Sequence, residues 1–163
     1  MANNIRQRRE QANYINTTPG EENAVFSLLG VGVKTLDENP SAQTSSKKYI
    51  VDKSTTHHIK GYDWAVPFDA DQIRSQAALA YLCDIGEKQK IGEDAETQYV
   101  IVDLDQAIAN KENTFHARMI NVAIEISSFP NDDGEMGISG NFLGQGDMIE
   151  GEFNTSTKVF TAA

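Results

Sequence analysis

The sequence has little that would hold it together outside a cytosol or place it in a membrane. It has one cysteine in 163 residues, Cys83, so an internal disulfide is excluded. No apolar run approaches the ~20 residues of a membrane-spanning helix, and the N-terminal segment lacks the apolar centre of a secretory signal. We therefore expect a chain that folds in a cytosol, has no membrane segment and buries Cys83 as a small hydrophobe.

Basic residues are scarce in the larger part of the chain. The net charge is −10; residues 1–60 hold 8 Lys and Arg against 6 Asp and Glu, whereas residues 61–163 hold 6 against 18. Affinity for nucleic acid comes mainly from basic groups that displace counterions. The acidic body is therefore expected to bind nucleic acid poorly. The negative charge could equally serve only to keep the protein soluble.

The side chains that carry chemistry are also few and poorly spaced. Adjacent histidines on a strand point to opposite faces, so His57 and His58 cannot share a metal ion, and His116 stands alone. Two carboxylate pairs lie at i, i+2, a spacing that is also typical of a solvated strand face: Asp103 with Asp105, and Glu150 with Glu152. The sequence thus predicts no enzyme, no metal site and no cofactor, which favours a structural or binding function.

What the sequence does have is apolar residues at period two, which is typical of β-strands. Alternation predicts inward faces for three segments: Tyr62, Trp64, Val66 and Phe68; Ile120, Val122, Ile124 and Ile126; and Met136, Ile138 and Phe142. The acids Glu125, Glu135, Glu150 and Glu152 fall on the opposite faces. A further short strand ends the chain, which leaves a bare edge.

One helix is expected at about residues 70–85. Asp69 is the predicted cap and Gly86 the stop. An apolar stripe at helical spacing predicts that one face of this helix packs on a sheet: Ile73, Ala77, Ala80, Tyr81 and Ile85.

Two segments are predicted to lack regular structure. Residues 1–23 are polar and form a flexible N-terminal arm that precedes the β domain at 24–163. The second is a long loop at 37–48, rich in Asp, Asn, Pro and Ser, and such loops are usually functional. Its candidate assembly residues are Asp37, Asn39, Pro40, Ser46 and Lys48.

The order of these pieces is similar to a known family. A Gly-containing strand is followed by an Asn-Pro loop, "KKYIVD", "IKGYDWAVPFDADQI", one helix and "IGEDAETQYVIVDLD", and the chain closes on "ISGNFLGQGDMIEGEFNTSTKVFTA". Over about residues 24–162 this resembles the major tail tube protein of long-tailed, non-contractile bacteriophages, especially those of Gram-positive hosts.

The resemblance implies a β-sandwich or half-barrel with one flanking helix. It implies hexameric rings that stack into a tube in the virion tail, assembled in the host cytoplasm together with tape measure and tail terminator proteins. DNA would pass through without specific binding, and Glu125, Glu135, Glu150 and Glu152 become candidates for the lumen or for an interface. The bare terminal strand would then pair with a neighbouring subunit.

Other functions remain open from the sequence. The same architecture serves the inner tube of contractile tails and of type VI secretion, which a neighbouring sheath or secretion gene would indicate. A carbohydrate-binding β-sandwich would need exposed aromatic residues on one face, whereas Trp64 lies on a face predicted to be buried.

Overall fold

The period-two segments form strands over most of the chain. The computed structural model describes residues 3–163, and 54% of the protein is strand. The described residues contain eleven strands, one α-helix and two short 3₁₀ helices. The strands are β1 (Gln11–Asn16), β2 (Phe26–Leu28), β3 (Val33–Leu36), β4 (Ala42–Lys47), β5 (Thr56–Tyr62), β6 (Ala65–Asp71), β7 (Glu96–Ala107), β8 (Thr114–Ser128), β9 (Asn131–Asp132), β10 (Glu135–Asn154) and β11 (Val159–Ala162); helix α1 is Ala77–Glu87, and the 3₁₀ helices are Arg8–Glu10 and Gly92–Ala95.

Nine strands form one curled antiparallel sheet. Its order is β2-β1-β7-β8-β10-β6-β3, with β9 and β11 also paired to β10. Strands β2 and β3 lie at opposite edges although only residues 29–32 separate them, so the sheet has to curl to bring its edges together. Gly32 makes this turn at a φ of +92°, a value that L side chains rarely adopt. The mainly β, half-barrel architecture with one flanking helix is confirmed.

The sheet buries apolar residues on both faces. Along β7, Tyr99 and Ile101 belong to a core beneath helix α1, whereas Val100 and Val102 belong to a second cluster on the other face. In the second cluster the rings of Tyr14 and Phe153 lie 4.5 Å apart. These residues come from strands that are not neighbours, because the curl of the sheet brings them together.

Helix α1 begins later than predicted. Asp69 and Asp71 lie in β6, whose alternating burial continues to the end of the strand and whose backbone pairs with β10 and β3. The N-cap is Gln76, without a side-chain cap bond. None of the helices in the described part of the chain is long and apolar enough to cross a membrane.

The buried face of α1 also differs from the predicted stripe. Of the predicted stripe only Ile85 is fully buried, and the core face consists of Ala78, Leu79, Leu82, Cys83 and Ile85. Gly86 is not a stop, since the helix continues through it. A Cβ there would lie 2.6 Å from Phe129 and 2.7 Å from Ile126, so glycine permits a close approach of the helix to β8. Burial of Cys83 is confirmed, and it raises the pKa of that thiol.

The predicted flexible arm at 1–23 is wrong over Arg8–Glu10 and Gln11–Asn16, which form a 3₁₀ helix and strand β1; Met1 and Ala2 lie outside the described residues. Strand β1 lies inside the sheet between β2 and β7, and Ile15 is fully buried. Its polarity is misleading because the buried Asn13 has a partner, donating to the Tyr99 hydroxyl at 2.8 Å. Ahead of β1, Arg6 donates to Asp103 at 2.6 Å, a bond that raises the pKa of the guanidinium.

The seam where the curled sheet meets itself is bridged by Arg8. Its guanidinium donates to the carbonyl of Gln11 at 2.9 Å and to the Asn13 side chain at 2.5 Å, both on β1. It also donates to the carbonyl of Leu36 on β3 at 3.3 Å. One side chain from the segment predicted to be flexible therefore ties β1 to the edge strand β3.

Candidate assembly surface

Strands β4 and β5 form a separate ribbon that projects from the body. The register places Ala42 opposite Tyr62 and Lys47 opposite Thr56. All residues of both strands are solvent-exposed except Ser45 and Gly61, which are half-buried. Because an isolated two-stranded hairpin is at best marginally stable in water, a projecting ribbon is typical of a segment that docks on another molecule.

The predicted loop at 37–48 is therefore wrong in its second half. Ala42–Lys47 is strand β4, because its backbone hydrogen bonds are supplied by β5, and Ser46 lies opposite His57. Lys48 follows the strand and begins the hairpin turn. The remaining candidates, Asp37, Asn39 and Pro40, lie in the connection between β3 and β4.

That connection is fixed to the body at the end of the ribbon where Ala42 pairs with Tyr62, which we name the foot. Glu38 accepts a hydrogen bond of 2.7 Å from the indole nitrogen of Trp64. The same carboxylate accepts hydrogen bonds from both terminal guanidinium nitrogens of Arg118, at 3.0 and 3.1 Å. Asn39 and Ala65 exchange backbone hydrogen bonds of 2.8 and 3.0 Å. The foot of the ribbon is thus held firmly while its arms stand free.

The tip of the ribbon is apolar and exposed. Tyr49, Ile50 and Val51 are 64%, 105% and 86% exposed. Asp52 shapes the turn, since its carboxylate accepts from the backbone N–H of Tyr49 at 3.0 Å and its own N–H donates to the Tyr49 carbonyl at 3.0 Å. Large apolar side chains clustered in the most exposed part of a fold indicate an interaction site.

Sequence reasoning missed this tip. The run "KKYIVD" has apolar and β-branched residues that are also typical of a buried strand. The neighbouring charged residues distinguish an exposed turn from a buried strand: Lys47 and Lys48 precede the apolar residues, and Asp52 and Lys53 follow them. Charges at both ends of a three-residue apolar run suit an exposed turn better than a core strand.

The last strand is an edge strand, as the sequence predicts. Strand β11 pairs with β10 through register partners from Gly151–Ala162 to Asn154–Val159, and its other side has no partner among residues 3–163. Strand β3 is a second edge, paired to β6 alone within the same described residues. Both edges offer unpaired backbone groups to another chain.

The four candidate acids do not share one face. Glu125 is exposed on the sheet face opposite α1, where Asn141 donates to it at 2.9 Å. Glu150 and Glu152 belong to the other face of the sheet, and Glu152 is paired with Lys111. Glu135 is exposed beside the turn that joins β9 and β10.

Beyond the second cluster, the face that carries Glu125 is mainly polar. Gln145 donates to Glu96 at 3.1 Å on this face. Asn121 of β8 lies opposite Gln145 on one side and opposite Gln98 on the other. Asp69 of β6 belongs to the same face, opposite Ser139. We name this surface, defined by Asp69, Glu96, Asn121, Glu125, Asn141 and Gln145, the polar face.

The three histidines do not form a cluster: His57 and His58 are both exposed on β5. His116 is half-buried on β8. Within the described part of the chain, no three His, Cys, Asp or Glu side chains are grouped in a way that could hold a metal ion.

Similarity to known proteins is found for the structure and not for the sequence. No family model matches the sequence, and no curated protein matches it. Among solved structures, a chain of the anti-feeding prophage (AFP) baseplate, determined by cryo-EM with 6-fold symmetrisation, superposes with a TM-score of 0.46 and 9% identity; the alignment covers 92% of this chain and 97% of that chain. A likeness at that TM-score and identity assigns no function.

Proposed function

We propose that this protein is the major tail tube protein of a long-tailed phage, a structural subunit that forms stacked hexameric rings and carries out no catalysis. The observation that carries the proposal is the projecting β4–β5 ribbon, with its exposed apolar tip, on a body whose sheet edges are unpaired. The order of sequence motifs, which resembles that family, supports the same function.

Ring formation would use the sheet edges. An unprotected edge strand is an aggregation hazard in a monomer. If β11 or β3 pairs with a strand of a neighbouring subunit, the exposed edge is removed, as it is when a sheet closes into a barrel. Edge pairing between identical subunits in a closed ring would turn this hazard into a specific contact.

Stacking would use the ribbon. A segment that stands off the body and carries its apolar residues at the far end is suited to reach another ring or subunit. The firm foot at Glu38 and Trp64 would fix the direction in which it projects. Tape measure and tail terminator proteins are the further partners we propose in the virion tail, after assembly in the host cytoplasm.

The polar face would line the channel. It has no aromatic residue and carries three acids, Asp69, Glu96 and Glu125. An acidic wall leaves counterions on the DNA, so no position in the channel would hold a phosphate group. Glu150 and Glu152, on the other face, are better suited to contacts between subunits.

The test is assembly of purified protein at high concentration, followed by negative-stain microscopy and sedimentation. In the variant, Lys48–Thr55 is replaced by Asn-Gly, which joins the paired residues Lys47 and Thr56 by a two-residue turn. We expect the intact chain to form rings and tubes, and the variant to fold normally but form no tubes. A chain that stays monomeric at millimolar concentration, with and without tail-initiator components, would refute the proposal.

Charge reversal tests the channel. We expect Glu125→Lys to leave tube assembly intact and impair genome delivery, and Glu150→Lys to impair assembly. Glu135→Lys and Glu152→Lys complete the series. If all four variants assemble and deliver DNA normally, the acids contribute only solubility.

The inner tube of a contractile tail or secretion apparatus is the alternative within the same architecture, and a neighbouring sheath gene would distinguish it. A carbohydrate-binding function has less support, because Trp64 is buried.

A further inference from the structure

A cavity opens at the foot of the ribbon. Its volume is about 350 Å³, and apolar groups form most of its wall: Pro40, Tyr62, Trp64, Ile120 and Met148. Exposed Asp147 lies in the wall beside the Glu38–Arg118 pair. Because that pair neutralises itself, the charge left at the cavity is negative.

The tip of the same ribbon has the complementary properties. Of its three apolar residues, Ile50 in the middle has a fully exposed side chain. Three lysines flank them, Lys47, Lys48 and Lys53, against the single acid Asp52. The tip is therefore an apolar projection with net positive charge, and the cavity is an apolar recess with net negative charge.

The tip of a chain cannot reach the cavity of the same chain. Tyr62 lies opposite Ala42 at the foot, and the ribbon runs from there to Lys47 before the turn. At ~3.4 Å per residue the tip stands about 20 Å from its own foot. Any occupant of the cavity that resembles the tip must come from another molecule.

We infer that Ile50 of one copy inserts into the foot cavity of a second copy, with the flanking lysines close to Asp147. The inference rests on the proposed function and identifies the contact that the ribbon makes. Tip and cavity are different surfaces of one chain, so a contact made in one direction is head-to-tail and leaves a free tip and a free cavity at the ends. Such a contact propagates into rings or filaments, whereas two copies that exchange tips about a two-fold axis stop at a dimer.

The test is disulfide cross-linking in mixtures of full-chain variants that each carry one introduced cysteine. Ile50→Cys supplies the tip and Tyr62→Cys, at an exposed position in the cavity wall, supplies the receiver. Bridged Cα atoms must lie within about 7 Å, so a 50–62 disulfide within one chain is excluded. Native Cys83 is buried and stays in place. The matched control receiver is Ile91→Cys, at an exposed isoleucine outside the cavity.

We expect Ile50→Cys to cross-link with Tyr62→Cys and not with Ile91→Cys, and Ile50→Asp to weaken association at least about tenfold. Tubes that form without the 50–62 cross-link, or with an equal 50–91 cross-link, would overturn the inference while the proposed function stands. Specific cross-links in short oligomers that never become tubes would support the contact and refute the tube. A strict monomer without cross-links would overturn both.

Discussion

Removing the Glu38 carboxylate should loosen the foot of the ribbon without touching either hydrophobic core. The carboxylate is the acceptor for the Trp64 indole and for both terminal nitrogens of Arg118. Glu38→Ala leaves the indole N–H of a buried tryptophan and a half-buried guanidinium without these bonds. No apolar contact of the main core is deleted by the change, because Glu38 is not part of that cluster.

The size of the effect follows from burial. A buried donor left without an acceptor costs about 1–3 kcal/mol. The Glu38 and Arg118 side chains are 21% and 25% exposed, so solvent screens their attraction and the pair contributes up to about 1 kcal/mol. We expect Glu38→Ala to lower the free energy of unfolding by about 2–3 kcal/mol, which for a chain of this length lowers Tm by roughly 4–12 °C.

Urea unfolding followed by fluorescence measures this directly, since Trp64 is the single tryptophan. Glu38→Gln is the matched control: its side-chain carbonyl can still accept from the indole, while the charge and one acceptor for Arg118 are lost, so we expect a smaller loss of about 1 kcal/mol. Proteolysis within the ribbon should accelerate for Glu38→Ala and little for Glu38→Gln. A loss below about 0.5 kcal/mol in the alanine variant would show that the foot is not held by this carboxylate.

Three further predictions concern the body. A Cβ at Gly140 would lie 2.0 Å from the carbonyl oxygen of Glu125, so we expect Gly140→Ala to cost more than about 3 kcal/mol in urea unfolding, and near-normal stability would contradict the β8–β10 register. Phe153 is fully buried in the second cluster, so Phe153→Ala should cost about 3–5 kcal/mol in the same assay, and a cost below about 1 kcal/mol would contradict that packing. Burial raises the pKa of Tyr99; the unfolded chain releases this proton near pH ~10 while the folded chain keeps it, so stability should fall as the pH rises past ~10. Tyrosinate absorbance that rises fully before near-UV circular dichroism is lost would contradict the last prediction.

Period two predicts the sheet well where one face is buried along a whole strand. Val122 and Ile124 are buried as expected, and so are Val66 and Phe68. Two other positions were assigned to the core wrongly, because each lies at the end of a strand where the neighbouring strand stops. These are Tyr62, at the foot of the ribbon, and Met136, beside the β9–β10 turn, and both are exposed.

The errors at the N-terminus and at 37–48 share one cause. Polar composition predicts a lack of regular structure, yet a strand is fixed by backbone hydrogen bonds as well as by apolar side chains. Strand β1 has two strand partners and the buried Asn13–Tyr99 bond, and β4 has β5. Strand β2 follows β1 closely along the chain, as β5 follows β4, whereas β7 and Tyr99 lie far from β1 in sequence and leave no local pattern there.

The candidate site was predictable only in outline. A functional segment after Asp37 follows from length and composition, but its apolar tip and firm foot do not. Glu38 meets Trp64 and Arg118 across 26 and 80 residues of sequence, and such an arrangement depends on how the sheet curls. Hydrophobic periodicity reports which face of a strand is buried and carries no information on which strands meet.

The distribution of stabilising contacts would allow one chain to fold alone and then to assemble as proposed. Both hydrophobic clusters lie in the nine-stranded sheet and under α1, and the β4–β5 ribbon contributes no residue to either. The body can therefore reach its final fold before any partner arrives, while the ribbon gains apolar contacts for Tyr49, Ile50 and Val51 only by docking. Since regions with few buried contacts open at low free-energy cost, the ribbon is the part of the chain whose order should increase most on assembly. We expect amide exchange to slow in Ala42–Tyr62 on assembly, while the exchange rates in β7 and β8 stay unchanged. This result would show that the body folds first and that a second molecule orders the ribbon.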